Sequence, residues 1–180
     1  MNILYLHQYF TTPLQAGGGR SYWISLQLIE NGHQVTLVTS RNIQNKFIEN
    51  EVIDGIKVIY IRNQYSNEFS ILRRIFSFVS FMIASSVVTF KQKKPDILIA
   101  TSTPLTIGFP ALLMSFLKRI PYIFEVRDLW PEFPIQMGAI KSKSARKILE
   151  SFEKIIYRKA LHIIALSPGM KDGIVEAGID

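Results

Sequence analysis

The stretch from Ile3 to Ser40 constrains the fold of this chain more than any other. It begins with a short apolar run, residues 3–6, which is long enough for a buried strand and too short for a helix. A ten-residue loop, three consecutive glycines, an apolar helical pattern and a second apolar run at residues 34–39 follow. This succession predicts strand, glycine loop, helix and strand, the first unit of a doubly wound parallel sheet.

The glycines Gly17, Gly18 and Gly19 stand just before the predicted helix at residues 21–30, with Arg20 beside them. Glycine lets backbone N–H groups approach a bound anion, and the helix dipole favours negative charge at that end. The pattern therefore predicts a phosphate site; the alternative is that the glycines only close a long loop. Trp23 and its apolar neighbours predict a helix that is buried on more than one side.

Length and composition limit the classes of protein. A chain of 180 residues with 48% hydrophobic residues is large enough for one folded domain with a substantial core. The absence of cysteine excludes a disulfide framework and a thiolate metal site. A net charge of +7 favours an anionic partner, whether phosphate, acidic lipid or nucleic acid. Because a strand begins at Asn2, we expect no secretory signal and a cytoplasmic location.

Strands alternate with helices through the rest of the chain. Asp54-Gly55 between two apolar runs predicts a hairpin. Further strands are predicted at residues 97–100, 122–126 and 162–166, and helices at 106–118, from an N-cap at Ser144, and after Ser167-Pro168. The predicted fold is therefore α/β, a doubly wound, mainly parallel sheet with helices on both faces, as one domain over residues 1–180.

A long apolar helix is predicted at residues 69–94. It carries apolar residues on one face and further apolar residues with serines on the other, and its charges stand only at the two ends. The uncharged part, residues 75–90, is shorter than the roughly 18–20 residues that a membrane span needs. Two interpretations stay open: a buried crossover helix, or a helix that lies partly in a bilayer surface.

In such a sheet the carboxyl ends of the parallel strands share one edge, where open α/β sheets bind ligands. The candidate site residues there are Tyr9, Phe10, Thr103, Arg127, Asp128, Trp130, Glu132 and Ser167. A dinucleotide-binding dehydrogenase does not fit, because the glycines are contiguous and no acidic residue closes the second strand. A P-loop motif, a hydrolase nucleophile elbow and metal-ligand spacing of the histidines are all absent from the sequence.

Three segments carry a resemblance to a known family. Residues 7–40, the segment FEVRDLWPE and the segment ALSPGM resemble the N-terminal domain of the retaining GT-B glycosyltransferases of family 4, and FEVRDLWPE is similar to a subgroup of capsule and O-antigen aminosugar transferases. The resemblance implies that Gly17, Gly18, Gly19 and Arg20 contact the donor diphosphate and that the rest of the edge is on the acceptor side. Many relatives have a histidine where this chain has Arg127-Asp128. Asp128 would then orient a hydroxyl and Arg127 would bind phosphate, or the two would form a structural ion pair.

The family also has a C-terminal nucleotide-sugar domain with two glutamates spaced E-x7-E, and this chain has no such pair. We therefore expect half of an enzyme that is inactive alone, without metal or cofactor. The expected partners are a nucleotide-sugar donor, a polyprenyl-diphosphate-linked glycan acceptor and the anionic inner face of the bacterial plasma membrane, but no nucleic acid. The alternative function is a stand-alone membrane-peripheral binding module or the acceptor-binding subunit of a two-chain transferase.

Overall fold

A computed structural model of the chain describes residues 1–15, 17, 19–66, 68–131, 135, 140 and 142–179. Its strands are β1 Asn2–Leu6, β2 Gln34–Arg41, β3 Ile48–Ile53, β4 Ile56–Arg62, β5 Ile97–Thr101, β6 Tyr122–Val126 and β7 His162–Ala165. The helices are α1 Arg20–Glu30, α2 Ile71–Lys91, α3 Gly108–Lys118, α4 Lys143–Lys159 and α5 Pro168–Glu176, with a short 3₁₀ turn at Leu105–Ile107 before α3.

The seven strands form one sheet in the order β3-β4-β2-β1-β5-β6-β7. All neighbouring pairs are parallel except β3 and β4, which form the antiparallel hairpin that the sequence predicts. Asp54 and Gly55 both adopt positive φ angles, 48° and 83°, as a tight hairpin turn with matching twist requires. The predicted α/β Rossmann-like fold is confirmed.

Alternating side chains of the strands divide the core between the two faces of the sheet. Leu4 and Leu6 of β1 point to the face that α2, α3 and α4 cover, whereas Ile3 and Tyr5 point to the face that α1 covers. Because both faces are covered, the strands read as continuous apolar runs rather than as alternating patterns.

The burial of α1 agrees with the prediction only in part. Ser21, Tyr22 and Ser25 face the sheet, while Trp23 is 54% exposed. The small serine side chains let the helix backbone approach the strands closely. The other apolar residues of the pattern are partly buried against the same core, as predicted: Ile24, Leu26, Leu28 and Ile29.

The orientation of α2 also differs from the buried crossover interpretation. Its buried residues are Ser77, Phe81, Ser85, Ser86, Val88 and Thr89. The apolar residues that the sequence places on one face are exposed instead, with Leu72 at 79% and Phe76 at 73%. Hydroxyl groups of Ser85 and Ser86 donate to the backbone oxygen of Met82, at 3.2 and 2.7 Å, so these two inward groups are satisfied within the helix. The buried Thr89 hydroxyl has no hydrogen-bond partner among the described residues.

The N-cap of α4 is Ser142 and not Ser144, which the sequence pattern favours. The backbone N–H of Ala145 donates to the Ser142 hydroxyl at 3.3 Å. Ser142 keeps an extended backbone with ψ 123°, as an N-cap residue does, and Ser144 already lies inside the first turn.

Candidate functional site

The order of the strands places a crevice between β1 and β5. The chain leaves β1 toward β2 on one side and later returns to its other side with β5, which is the switch point where open α/β sheets bind ligands. At this crevice, hydrogen bonds join the residues that follow β5 to the residues that follow β6. The backbone N–H of Arg127 donates to the Ser102 hydroxyl at 3.0 Å, and the Thr103 hydroxyl donates to the Asp128 carboxylate.

Arg127 is held by a histidine that follows β1. Its guanidinium donates to Nε2 of His7 at 3.1 Å, and Nδ1 of His7 lies 2.7 Å from the Ser21 hydroxyl oxygen. Because a guanidinium only donates, Nε2 is the acceptor, and Nδ1 carries the proton and donates to Ser21. Burial, with a smaller contribution from the charge of Arg127, lowers the pKa of His7 to about 3. His7 is therefore a neutral acceptor that fixes the direction of Arg127.

Arg20 is held by a buried carboxylate. Oε1 of Glu125 accepts from Nε of Arg20 at 2.5 Å, while Oε2 accepts from the Thr101 hydroxyl at 2.8 Å and from Tyr5 at 3.4 Å. Glu125 is 1% exposed, whereas the Arg20 side chain is about half exposed. Burial and the charge of Glu125 raise the pKa of the Tyr5 hydroxyl, so Tyr5 stays protonated. The arrangement anchors Arg20 and leaves much of its guanidinium accessible.

The N-terminus of α1 is open beside Arg20. Its N-cap is Gly19 with φ 53°, no side chain caps the first turn, and the first turn contains no acidic residue. Gly17 has φ 126°, and its carbonyl accepts from the Thr11 hydroxyl at 3.1 Å. These glycines adopt angles that other residues disfavour, and the helix end keeps uncapped N–H groups and a positive dipole. Gly18 lies outside the described residues.

A series of aromatic rings joins two of the predicted acceptor-side residues. Tyr9 packs on Tyr65 with a centroid distance of 5.2 Å, Tyr65 stacks on Phe78 at 5.4 Å, and Phe78 meets Trp130 edge-on at 6.3 Å. The indole N–H of Trp130 is buried and has no hydrogen-bond partner among the described residues. The prediction from sequence named Tyr9 and Trp130 but missed Tyr65 and Phe78, which only the packing of α2 brings to this place.

The remaining predicted site residues lie apart from these contacts. Phe10 is in the core at 6% exposure, so we leave it out of the proposed acceptor surface. Ser167 is the N-cap of α5, where its hydroxyl accepts from the backbone N–H of Met170 at 3.2 Å. Glu132 lies outside the described residues.

Sequence reasoning missed the supports of the two arginines. The sequence places His7 at this edge, in the loop after the first strand, but gives it no partner, and Glu125 is predicted only as one residue of an apolar strand. A carboxylate in the middle of a buried strand is itself a signal, because such groups are rarely buried without a partner. Within the described residues no cluster of three or more histidine, aspartate or glutamate side chains could hold a metal ion.

Comparison with known families now identifies the chain. The sequence model of the glycosyl transferase 4-like domain matches residues 17–180. The chain belongs to this glycosyltransferase family. No curated protein matches its sequence.

Solved structures with the same fold include sucrose-phosphate synthase from Thermosynechococcus elongatus, with a TM-score of 0.66 and 14% identity over 97% of this chain and 44% of that one. Alr3699/HepE from Anabaena, solved with UDP-glucose, has a TM-score of 0.53 and 16% sequence identity, and the match covers 100% of this chain and 41% of that one. A putative UDP-N-acetylglucosamine 2-epimerase from Listeria monocytogenes has a TM-score of 0.52 and 14% sequence identity, and the match covers 99% of this chain and 43% of that one. The chain thus spans less than half the length of each, and these likenesses show the fold alone.

Proposed function

We propose that this chain is the N-terminal, acceptor-side half of a retaining GT-B glycosyltransferase. The enzyme transfers a sugar from a nucleotide-sugar donor to a polyprenyl-diphosphate-linked glycan. It acts in bacterial surface polysaccharide synthesis and is of the capsule or O-antigen aminosugar type. The observation that supports this most is the pair of held guanidinium groups, Arg20 and Arg127, beside the open N-terminus of α1. All three offer positive charge at the switch point, and a diphosphate is the matching ligand.

The chemistry follows from these positions. When the bond between the anomeric carbon and the donor diphosphate breaks, its electron pair leaves on the diphosphate oxygen. The Arg20 guanidinium and the uncapped N–H groups of α1 stabilise that charge because they are fixed before the reaction. Asp128, oriented by Thr103, accepts a hydrogen bond from the acceptor hydroxyl and directs its oxygen toward the anomeric carbon. As that oxygen forms the new bond to the anomeric carbon, its proton passes to the Asp128 carboxylate and then to water. Since guanidinium and backbone groups supply the positive charge, we expect transfer without a metal or cofactor.

The acceptor is proposed to lie on the aromatic series. Tyr9 and Trp130 present rings of the kind on which sugar faces pack, and the buried indole N–H of Trp130 lacks a partner among the described residues. A lipid-linked acceptor places the enzyme on the inner face of the plasma membrane, which agrees with the net charge of +7.

The first test measures transfer of labelled sugar to an extractable lipid-linked acceptor by the full-length protein. Arg20→Ala removes one anion contact, so we expect the donor KM to rise about tenfold or more. Asp128→Asn keeps the shape but weakens the orientation of the acceptor hydroxyl, so we expect kcat to fall about 100-fold. Arg158→Ala and Asp172→Asn, on the exposed faces of α4 and α5, are the matched controls. Wild-type turnover by both site variants contradicts the assignment.

A second candidate function is the acceptor-binding subunit of a two-chain transferase. It is favoured by one observation, that the proposed acceptor-side residues Tyr9 and Trp130 are joined by ring contacts within this domain alone. In that case the lipid-linked acceptor binds to this chain, Trp130→Ala weakens that binding, and transfer begins only when a separate nucleotide-sugar subunit is added.

A further inference from the structure

The outward face of α2 is an unusual surface. Eight large apolar side chains on this face are between 38% and 79% exposed, and we name them the outer stripe: Ile71, Leu72, Ile75, Phe76, Val79, Ile83, Val87 and Phe90. Within the described residues, α2 is the helix that is long and apolar enough to cross a membrane by length and composition. Its serine face packs on the sheet and on α3, however, so the helix is part of the domain and lies along its surface.

The charges on α2 itself are all positive, whereas the exposed Glu68 lies just before its N-cap. The sequence of α2 contains no acidic residue; Arg73 and Arg74 stand in its first turn, and Lys91, Lys93 and Lys94 at and after its end. At about 1.5 Å per residue the stripe extends over nearly 30 Å between these two cationic ends. An apolar band bordered by cations is complementary to the surface of an anionic bilayer, where acyl chains lie beneath phosphate groups.

A pocket opens beside the stripe. It has a volume of about 460 Å³ and is lined by Arg62, Asn63, Gln64, Arg73, Phe76, Ser77 and Ser80. Arg73 lies over the ring of Phe69 at 3.7 Å, and the Asn63 amide donates to the Ser77 hydroxyl at 2.9 Å, which orients parts of the lining. In the described part of the chain neither Arg62 nor Arg73 forms an ion pair with a carboxylate. Two such guanidinium groups and several neutral donors suit a phosphate group.

We propose that the outer stripe lies in the surface of an anionic bilayer, with Arg62 and Arg73 binding the phosphate of a lipid headgroup in the adjacent pocket. This deepens the proposed function, on which it rests only for the lipid-linked nature of the acceptor. A second copy of the chain is a poorer occupant. Pairing two α2 helices antiparallel sets Arg73 and Arg74 against the lysines of the other copy, and pairing them parallel sets like ends together, so both arrangements repel.

The experiment measures partition of the full-length protein onto sedimented vesicles without any donor sugar. The vesicles are phosphatidylcholine alone or equal parts of phosphatidylcholine and phosphatidylglycerol. We expect binding to the anionic vesicles that is weakened by salt. The stripe variant Leu72→Gln, Phe76→Gln, Ile83→Gln should bind at least about tenfold more weakly, because three apolar side chains no longer leave water. The pocket variant Arg62→Ser, Arg73→Ser should also bind the anionic vesicles about tenfold more weakly, because two cationic groups no longer face the lipid phosphates.

Matched controls separate this surface from general hydrophobicity and charge. Ile43→Gln, Phe47→Gln, Val52→Gln changes three exposed apolar residues near β3, and Arg158→Ser, Lys171→Ser removes two exposed charges elsewhere. Both controls should bind like the wild type. In addition, the fluorescence of a Phe76→Trp variant should be quenched by brominated lipid, and that of Phe47→Trp should not.

Three outcomes overturn the proposal: binding of the stripe variant equal to that of its control, equal binding to neutral vesicles, or a stripe-dependent change of oligomeric state in solution. Transfer to a water-soluble, short-chain acceptor tests the proposed function separately. If the stripe variant binds vesicles poorly but transfers sugar normally to the soluble acceptor, the result supports both the proposed function and the proposed contact of the outer stripe with the bilayer. If the protein binds the vesicles normally but transfers no sugar to the soluble acceptor, the proposed function is contradicted and the proposed membrane-binding surface is still supported.

Discussion

At the scale of single residues, the site depends on two buried groups that hold two arginines, of which Arg20 is half exposed and Arg127 partly buried. Glu125 anchors Arg20 and His7 directs Arg127, so each guanidinium is oriented before any ligand arrives. Such preorganisation is what electrostatic stabilisation of a leaving diphosphate requires. Because His7 is one of these supports, the site also depends on pH.

His7 gives a prediction for the pH dependence of stability. Its pKa is about 3 in the folded chain and near 6.5 when exposed, so between these values only the unfolded chain takes up the proton. Stability is therefore unaffected by His7 above about pH 6.5 and falls with decreasing pH below it, by up to about 1.4 kcal/mol per pH unit. Urea unfolding between about pH 7 and pH 5 should show a smaller loss for His7→Gln than for the wild type.

His162→Gln provides the control for this measurement, because His162 is exposed at the start of β7. It should keep the wild-type slope of stability against pH. If His7→Gln and His162→Gln lose stability equally as the pH falls, His7 is not the buried neutral group that holds Arg127.

At the scale of elements, periodicity located α2 but did not orient it. The apolar residues of α2 share one face, as the sequence indicates, yet the serine face is the buried one. Small residues bring a helix closer to a sheet than large ones, and the hydroxyl groups of Ser85 and Ser86 bond within the helix, so the burial of these two costs little. Apolar character alone therefore predicts the wrong side wherever a helix has a second surface, such as a bilayer, to cover its large residues.

The N-cap of α4 allows a matched test of local structure. The Ser142 hydroxyl satisfies a backbone N–H that otherwise lacks a partner, whereas the exposed side chain of Ser144 lies within the first turn. We expect Ser142→Ala to lower the free energy of unfolding by about 1 kcal/mol and Ser144→Ala to change it by only a few tenths. Thermal unfolding of the two variants measures this difference. A larger loss of unfolding free energy for Ser144→Ala than for Ser142→Ala would show that Ser144 is the N-cap, as the sequence pattern favours.

At the scale of the whole molecule, the domain presents an edge rather than an enclosed site. Arg20, Arg127 and the α1 N-terminus lie at the carboxyl ends of the strands, and the structural neighbours that share this fold are more than twice as long. We propose that a second domain closes over this edge and supplies the contacts to the nucleotide, since an open edge leaves the diphosphate in water.

This proposal predicts the size and the activity of the natural protein. Its intact mass in the native host should be about twice the 20.6 kDa of this chain. The longer protein should transfer sugar and the 180-residue chain alone should not, when both are assayed with the same donor and lipid-linked acceptor. A native product of about 20 kDa would instead favour the acceptor-binding subunit, and the next measurement would be co-purification with a second chain.

The sequence alone determined the fold class, the order of the strands along the chain, the hairpin at Asp54-Gly55 and the switch-point edge, because local periodicity and turn residues carry that information. It also indicated Gly17, Gly19, Arg127 and Asp128 as residues of that edge. Only the tertiary structure decided which side of α1 and α2 is buried, that Glu125 holds Arg20 and that His7 holds Arg127. Those contacts join residues more than 100 positions apart in the sequence, and no local pattern encodes them.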